Sequence, residues 1–206
     1  MPSYKLTYFE LQGGRGESIR LAFHCGGIPF TDERLTSEQF GKIKDSCPFG
    51  QVPVLTVDDK TVIPQEGAIL RYVGRLSGTY SDDREKAVKQ DIMLNFGDDI
   101  YSIAATFFAQ DHPGKEELKK RSVDERIPKT LGHLDKYLSN QGTTFSAGND
   151  LSIADFKLYA ALMLIKSGML QGLSLDIVDK YTHVAKLYQA IEKHEKVASW
   201  YKSRAQ

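Results

Sequence analysis

Alternation opens the chain. Tyr4, Leu6 and Tyr8 interleave with Lys5 and Thr7, and a side-chain period of two over 4–9 predicts a half-buried strand. Gly13-Gly14-Arg15-Gly16 reads as a turn. From Glu17 to Cys25 the period lengthens, with Ile19, Leu21, Ala22, Phe23 and Cys25 offered to a core, so a helix is predicted that Gly26-Gly27 ends. Phe30–Leu35 reads as a second strand and Thr36–Asp45 as a short polar helix. Val54–Val57 and Thr61–Ile63 form strands joined by Asp58-Asp59-Lys60, a hairpin. Gln65–Leu76 is helical. The order is β-α-β-α-β-β-α. Its βαβ start requires a parallel pair with a right-handed crossover, and its hairpin is antiparallel. One mixed sheet with helices on its faces follows.

Beyond Leu76 the strand signal vanishes. The predicted division is 1–77, a linker at 78–83, and an all-helical part over 84–206. Arg84–Gln110 is one long helix ended by Asp111-His112-Pro113-Gly114, and Lys115–Ser139 is a second, kinked at Pro128. Asn140–Asn149 is loop. Ser152–Ser167 is apolar nearly all round and predicts a buried central helix. Ser152-Ile153-Ala154-Asp155 is a capping box, with Leu151 and Phe156 placed as a staple across it; the cap contributes about 1 kcal/mol. Tyr181–His194 and Val197–Arg204 read as amphipathic and peripheral.

Composition narrows the function classes. The 206 residues carry 27 Lys+Arg against 27 Asp+Glu, a balance that argues against a general nucleic-acid or anionic-membrane binder. No apolar run reaches the ~20 residues of a membrane span, and the first residues do not read as a secretory signal. Two cysteines, Cys25 and Cys47, make no disulfide framework. A cytoplasmic protein is expected. No zinc-ligand spacing appears, and the Gly-rich run at Gly13–Gly16 matches neither a phosphate loop nor a dinucleotide fingerprint.

The most informative stretch is Phe49-Gly50-Gln51-Val52-Pro53-Val54-Leu55, followed by Gln65-Glu66-Gly67-Ala68-Ile69-Leu70-Arg71-Tyr72. Pro53 cannot donate to a ladder and belongs at a strand's first residue, where a cis bond suits a tight turn. Such a turn leaves the Val52 backbone groups facing a cleft beside a helix N-terminus, a site for a peptide-like, anionic ligand.

With Tyr8-Phe9 and Leu151-Ser152-Ile153-Ala154-Asp155-Phe156, these segments resemble the cytosolic glutathione transferases over essentially the full length. Tyr4–Phe9 and Asp98-Asp99 are most similar to the sigma class, which includes glutathione-dependent prostaglandin D synthase; the pi and alpha classes are close. The resemblance implies a thioredoxin-like domain followed by an all-helical one, and a homodimer. It implies glutathione as co-substrate, with no permanently bound cofactor, and attack of its thiolate on small electrophiles. It assigns Tyr8 as the hydroxyl that stabilises the thiolate, with Arg15 assisting. Val52, after the turn at Pro53, pairs with the cysteinyl backbone; Lys44 and Gln51 hold the glycyl end and Gln65 the γ-glutamyl end. Asp99 reaches that end from the partner subunit. Phe9, Arg15, Tyr101, Thr106, Phe107 and Tyr159 are placed around the electrophile.

Two residues depart from the family pattern. Glu66 stands where relatives carry a serine that donates to the γ-glutamyl carboxylate. An ionised Glu66 cannot donate and is expected to weaken glutathione binding, unless it holds the ammonium or simply favours the helix N-terminus. Phe40 stands where many relatives have a tryptophan that touches the glycyl carboxylate, so Lys44 carries more of that contact. An extra residue near Gly13-Gly14 bears on the placement of Arg15. Cys47 lies among Lys42 and Lys44, whose charges would lower its thiol pKa. Two alternatives stay open. One is a glutathione-dependent prostaglandin D isomerase or peroxidase. The other is a non-catalytic relative, crystallin-like or ligand-binding.

Overall fold

The structure, a computed structural model, describes residues 2–109 and 113–204. Strands β1 (Tyr4–Phe9), β2 (Thr31–Leu35), β3 (Val54–Val57) and β4 (Thr61–Pro64) form one sheet in the order β2-β1-β3-β4. The β1–β2 pair is parallel, with Tyr8 opposite Arg34, whereas β1–β3 and β3–β4 are antiparallel. The crossover between the parallel strands is helix α1 (Gly14–Cys25). Alternation along β1 sends Leu6 and Tyr8 toward α1 and Phe9 toward α2 (Ser37–Ile43), where its ring meets Phe40 at 5.1 Å. Helix α3 (Glu66–Ser77) follows the hairpin.

Helix α1 starts earlier than its apolar spacing suggests and absorbs much of the Gly-rich run. Gly13 and Gly14 have φ of 78° and 70°. Gly16 is needed for close approach: a Cβ there would lie 2.2 Å from Tyr8 Cδ1. The absent side chain lets α1 lie directly on the Tyr8 ring.

The rest of the described chain is helical. Helix α4 spans Arg84–Phe108; its expected end at Gln110-Asp111-His112 lies outside the described residues. The expected kinked helix over 115–139 is α5 (Lys115–Arg121), a wide π turn over Ser122–Arg126, and α6 (Ile127–Ser139). Pro128 has no N–H for the residue four before it, and the wide turn absorbs that lost bond just ahead of the ring. Helix α7 (Ile153–Lys166) is buried along most of its length, with α8 (Thr182–Lys193) packed on it and α9 (Glu195–Lys202) packed on α1 and α8. A short 3-10 turn at Ile177–Lys180 had no sequence signal.

The capping box forms as expected. Asp155 accepts from Ser152 N and Oγ at 2.9 and 2.8 Å, and also from Ser146 N and Oγ at 2.8 and 2.7 Å. The linker is docked. Tyr80 is buried against Gly74, and the Ile153 N–H donates to the Thr79 carbonyl at 3.1 Å. Buried residues of α1, α3, α4 and α7 share one core, which fixes the sheet unit against the helical one.

Candidate active site

Two clefts meet at Arg15. The first, about 380 Å³, is lined by Arg15, Pro48, Gln51, Val52, Pro53, Pro64, Gln65, Glu66 and Asp98. The second, about 1040 Å³, is lined by Tyr8, Phe9, Leu11, Leu35, Tyr101, Ala104, Ala105 and Phe108 among others.

Backbone devices build the first cleft. The Val52–Pro53 bond is cis, and among the described residues neither the Val52 N–H nor its carbonyl has a partner. Gln65 holds φ at 71°, a left-handed conformation that a non-glycine residue adopts only where its surroundings enforce it. It turns the chain from β4 into α3. The Glu66 and Gly67 N–H groups open that helix without an acceptor among the described residues, so they and the helix dipole face the cleft as an anion seat.

The second cleft is apolar and carries the candidate chemistry at its edge. Tyr8 is 8% exposed, and its hydroxyl accepts a hydrogen bond from the Arg15 N–H at 3.2 Å. Burial, helped by the Glu66 charge, pushes the Tyr8 phenol up to about 12, against the Arg15 amide and the Arg15 and Arg20 cations. Tyr8 therefore keeps its proton at neutral pH, and its O–H is available as a donor. Arg20, fully buried, clamps the segment after Tyr8 by donating to the Phe9 and Leu11 carbonyls at 3.2 Å each. It is held in turn by Glu17 and Asp32.

Between the clefts lies a group of four charges. Arg15 Nη1 is 3.0 Å from Glu66 Oε2 and 2.5 Å from Asp98 Oδ1. Lys157 Nζ, from α7, is 2.7 Å from Asp98 Oδ2 and 3.4 Å from Glu66 Oε2. The lysine contacts are ionic in geometry rather than aligned hydrogen bonds. Ser18 Oγ donates to Glu66 Oε1 at 2.7 Å. Burial pushes the Glu66 carboxyl above the usual range, with Lys157, Arg15 and Ser18 acting against it. Two cations and a hydroxyl donor converge on its oxygens, the partners an ionised carboxylate needs. For Asp98 burial acts upward too, but Lys157 and Arg15 outweigh it and hold the group below its usual range. The Arg15 guanidinium also lies over the Tyr101 ring, 4.6 Å from its centroid, and the buried Tyr101 hydroxyl has no partner among the described residues.

The structure brings together Tyr8, Phe9, Arg15, Gln51, Val52, Pro53, Gln65, Glu66 and Tyr101 on the cleft walls. It does not place the other expected residues there. Thr106 bonds the Ile103 carbonyl and faces Ser122, Phe107 packs on the core, and Tyr159 stacks near Tyr188 and Tyr201 on the far side of α7. The wall of α4 is instead 101, 104, 105 and 108, one face of a 3.6-residue repeat. Phe40 backs Phe9 and lines neither cleft, while the exposed Lys44 runs beside Gly50. Asp98, not Asp99, joins this chain's own site; Asp99 is exposed. Around Cys47 the expected lowering is reversed, because burial and the Glu33 charge both push the thiol up. Lys157 was missed. Its one signal was a lysine in the middle of an otherwise apolar helix.

The chain matches the description "Glutathione S-transferase, N-terminal domain" over residues 4–75 and "Glutathione S-transferase, C-terminal domain" over 98–204. The chain belongs to the glutathione S-transferase family. Glutathione S-transferase 1 of Ascaris suum is 32% identical over 209 residues, covering 99% of this chain and 98% of the relative. Hematopoietic prostaglandin D synthase of Gallus gallus is 31% identical over 204 residues, with 99% and 98% covered. The solved structure of prostaglandin synthase D of Nilaparvata lugens superimposes with a TM-score of 0.86 at 30% identity, over 98% of each chain. The transferase thus has the thioredoxin-like sheet unit and helical unit of its family. No helix among its described residues is long and apolar enough to cross a membrane.

Proposed function

We infer that Tyr8 activates the glutathione thiol, and that the thiolate attacks small apolar electrophiles seated in the larger cleft. The observation that carries this is the Tyr8 hydroxyl beside Arg15, where a backbone-lined groove meets an apolar one. In this reading the Val52 backbone pairs with the cysteinyl unit as an added strand does. The Glu66 and Gly67 amides, with Gln65, hold the γ-glutamyl carboxylate, and Gln51 and Lys44 hold the glycyl end. The Tyr8 proton is shared with the thiolate as the C–S bond forms and the leaving group departs. Arg15 adds positive potential at that point. Phe9, Tyr101, Ala104, Ala105 and Phe108 shape the electrophile's seat, with Phe40 buttressing Phe9.

The unit boundaries follow the same reading: a glutathione-binding unit over 1–77, a linker at 78–83 and a helical unit over 84–206, in a cytoplasmic, sigma-like protein. It works as a homodimer in which Asp99 approaches the partner's γ-glutamyl ammonium. Phe49, 73% exposed, with exposed Val88 and Ile92 on α4, is apolar surface that a second copy would cover. The test is conjugation of glutathione to an aryl halide by purified protein, with sedimentation for the dimer. Turnover supports the reading; glutathione binding without turnover on any electrophile would overturn it in favour of a non-catalytic relative. The prostaglandin synthase relatives favour one second reading, isomerisation of a prostaglandin endoperoxide in the same cleft. The endoperoxide is assayed alongside the halide.

A further inference from the structure

Lys157 lies outside both clefts, yet it ends on two carboxylates that line one of them. Its side chain is fully buried, and the helix that bears it is otherwise apolar through its centre. Its stem crosses α4 at Gly97, where a Cβ would come within 2.9 Å of Lys157 Cγ and 3.1 Å of Cε. Gly97 thus opens the passage by which a cation from the helical unit reaches Asp98 and Glu66.

The charge count shows what it does there. Glu66, Asp98 and Arg15 alone carry a net charge of −1, directly beside the amides of residues 66 and 67, which have no acceptor among the described residues. Lys157 brings the four to zero. The Glu66 carboxylate is only 1% exposed and is spent on Lys157, Arg15 and Ser18, whereas Asp98 remains 44% exposed toward the cleft. What an incoming ligand meets is therefore a set of free amides and one partly exposed carboxylate. That suits a head group bearing both a carboxylate and an ammonium.

We propose that Lys157 is a positioning residue that sets ligand specificity: by neutralising Glu66 from behind, it turns an acidic pair into a seat for the zwitterionic γ-glutamyl head of glutathione rather than for a plain amine. This rests on the reading of the first cleft as the glutathione site.

The test compares glutathione with γ-aminobutyryl-cysteinyl-glycine, which keeps the ammonium and lacks the neighbouring carboxylate. Calorimetric Kd values are measured for both on wild type, Lys157→Met, Glu66→Ser and the double variant E66S/K157M, with thermal melts to monitor folding. The ratio of the two affinities is the readout. Lys157→Met leaves the site acidic, so the amine analogue is expected to bind as tightly or more tightly while glutathione weakens, and preference for glutathione to fall at least about tenfold. Glu66→Ser leaves the cation and should raise that preference, and the double variant should return it to near the wild-type ratio. If Lys157→Met does not fold, Glu66→Ser against the double variant reads the same lysine on a background without the acid, and the preference must fall between them. Equal weakening of both ligands, or an unchanged ratio, would overturn the proposal by reducing Lys157 to a structural role. Wild type that binds neither ligand would overturn the glutathione reading itself and the proposal with it.

Discussion

Replacing Tyr8 by Phe removes one oxygen and little else. The ring stays pressed on α1, because the Gly16 contact is made by Tyr8 Cβ, Cγ and Cδ1. The lost hydroxyl deprives the Arg15 N–H of its acceptor, a cost of about 1 kcal/mol or less where water can replace it. The catalytic cost is larger. A hydrogen bond to a charged partner contributes about 1.5–3 kcal/mol, and Tyr8 is buried enough to sit in the upper part of that range. At about 1.4 kcal/mol per pKa unit, the bound thiol should rise by about one to two units. Turnover near pH 6.5 should then fall by about 10- to 200-fold, with glutathione affinity changed little. Since the Tyr8 phenol is raised to about 12, wild-type activity should show no loss from its ionisation through pH 10. The assay is aryl-halide conjugation against pH, with the ultraviolet absorbance of bound thiolate titrated on the same samples. The deficit of the variant must shrink as pH rises past its thiol pKa. Wild-type turnover, or a deficit that is the same at every pH, would refute the argument; the second result would mean displacement of the thiol rather than loss of its stabilisation.

Other expectations concern stability and the second cleft. Lys157→Met or Glu66→Ser alone removes one of two partners from a buried charge and should cost less than the ~3–5 kcal/mol of a fully stranded one, while the double variant should recover most of it; denaturant melts decide. Asp155→Ala strands the Ser146 and Ser152 donors and should cost at least about 3 kcal/mol in the same melts. Burial acts upward on Asp32, but Arg20 and Arg34 hold it below its usual range. A depressed carboxyl stabilises the fold above its unfolded pKa and stops doing so as pH falls through the folded one, so stability should decline below about pH 4. That decline should be shallower in Asp32→Asn. Ala105→Trp should raise KM for bulky electrophiles and leave that for glutathione unchanged, because residue 105 lines only the larger cleft.

The sheet unit was legible because its signals are local. The alternation over 4–9, the hairpin at Asp58-Asp59-Lys60 and the proline at 53 each constrain only their neighbours, and each strand appears within a residue of where the pattern placed it. Helix α7 announced itself by being apolar all round and by its capping box. Phase along α4 was harder. Thr106 and Phe107 have the right chemistry for an electrophile pocket, but the residues facing the cleft follow from how α4 packs on α7, which no local pattern reports. Tyr159 was misplaced for the same reason. An all-round apolar helix has no polar face to say which side meets the sheet unit.

The same limit explains Glu66. Read alone, an acid at the start of α3 repels the carboxylate that the helix N-terminus should attract. Its counter-charge is split between Arg15 of α1 and a lysine from a helix of the other unit, which reaches it through a gap left by a glycine on a third. Backbone geometry in this cleft is specified within the sheet unit, whereas its electrostatics are specified across both units. A glutamate that looks like damage to a binding site and a lysine that looks like an error in a buried helix are each costly alone. Together with Arg15 and Asp98 they close to zero charge, so the acid no longer sets the potential that the helix N-terminus presents to a ligand.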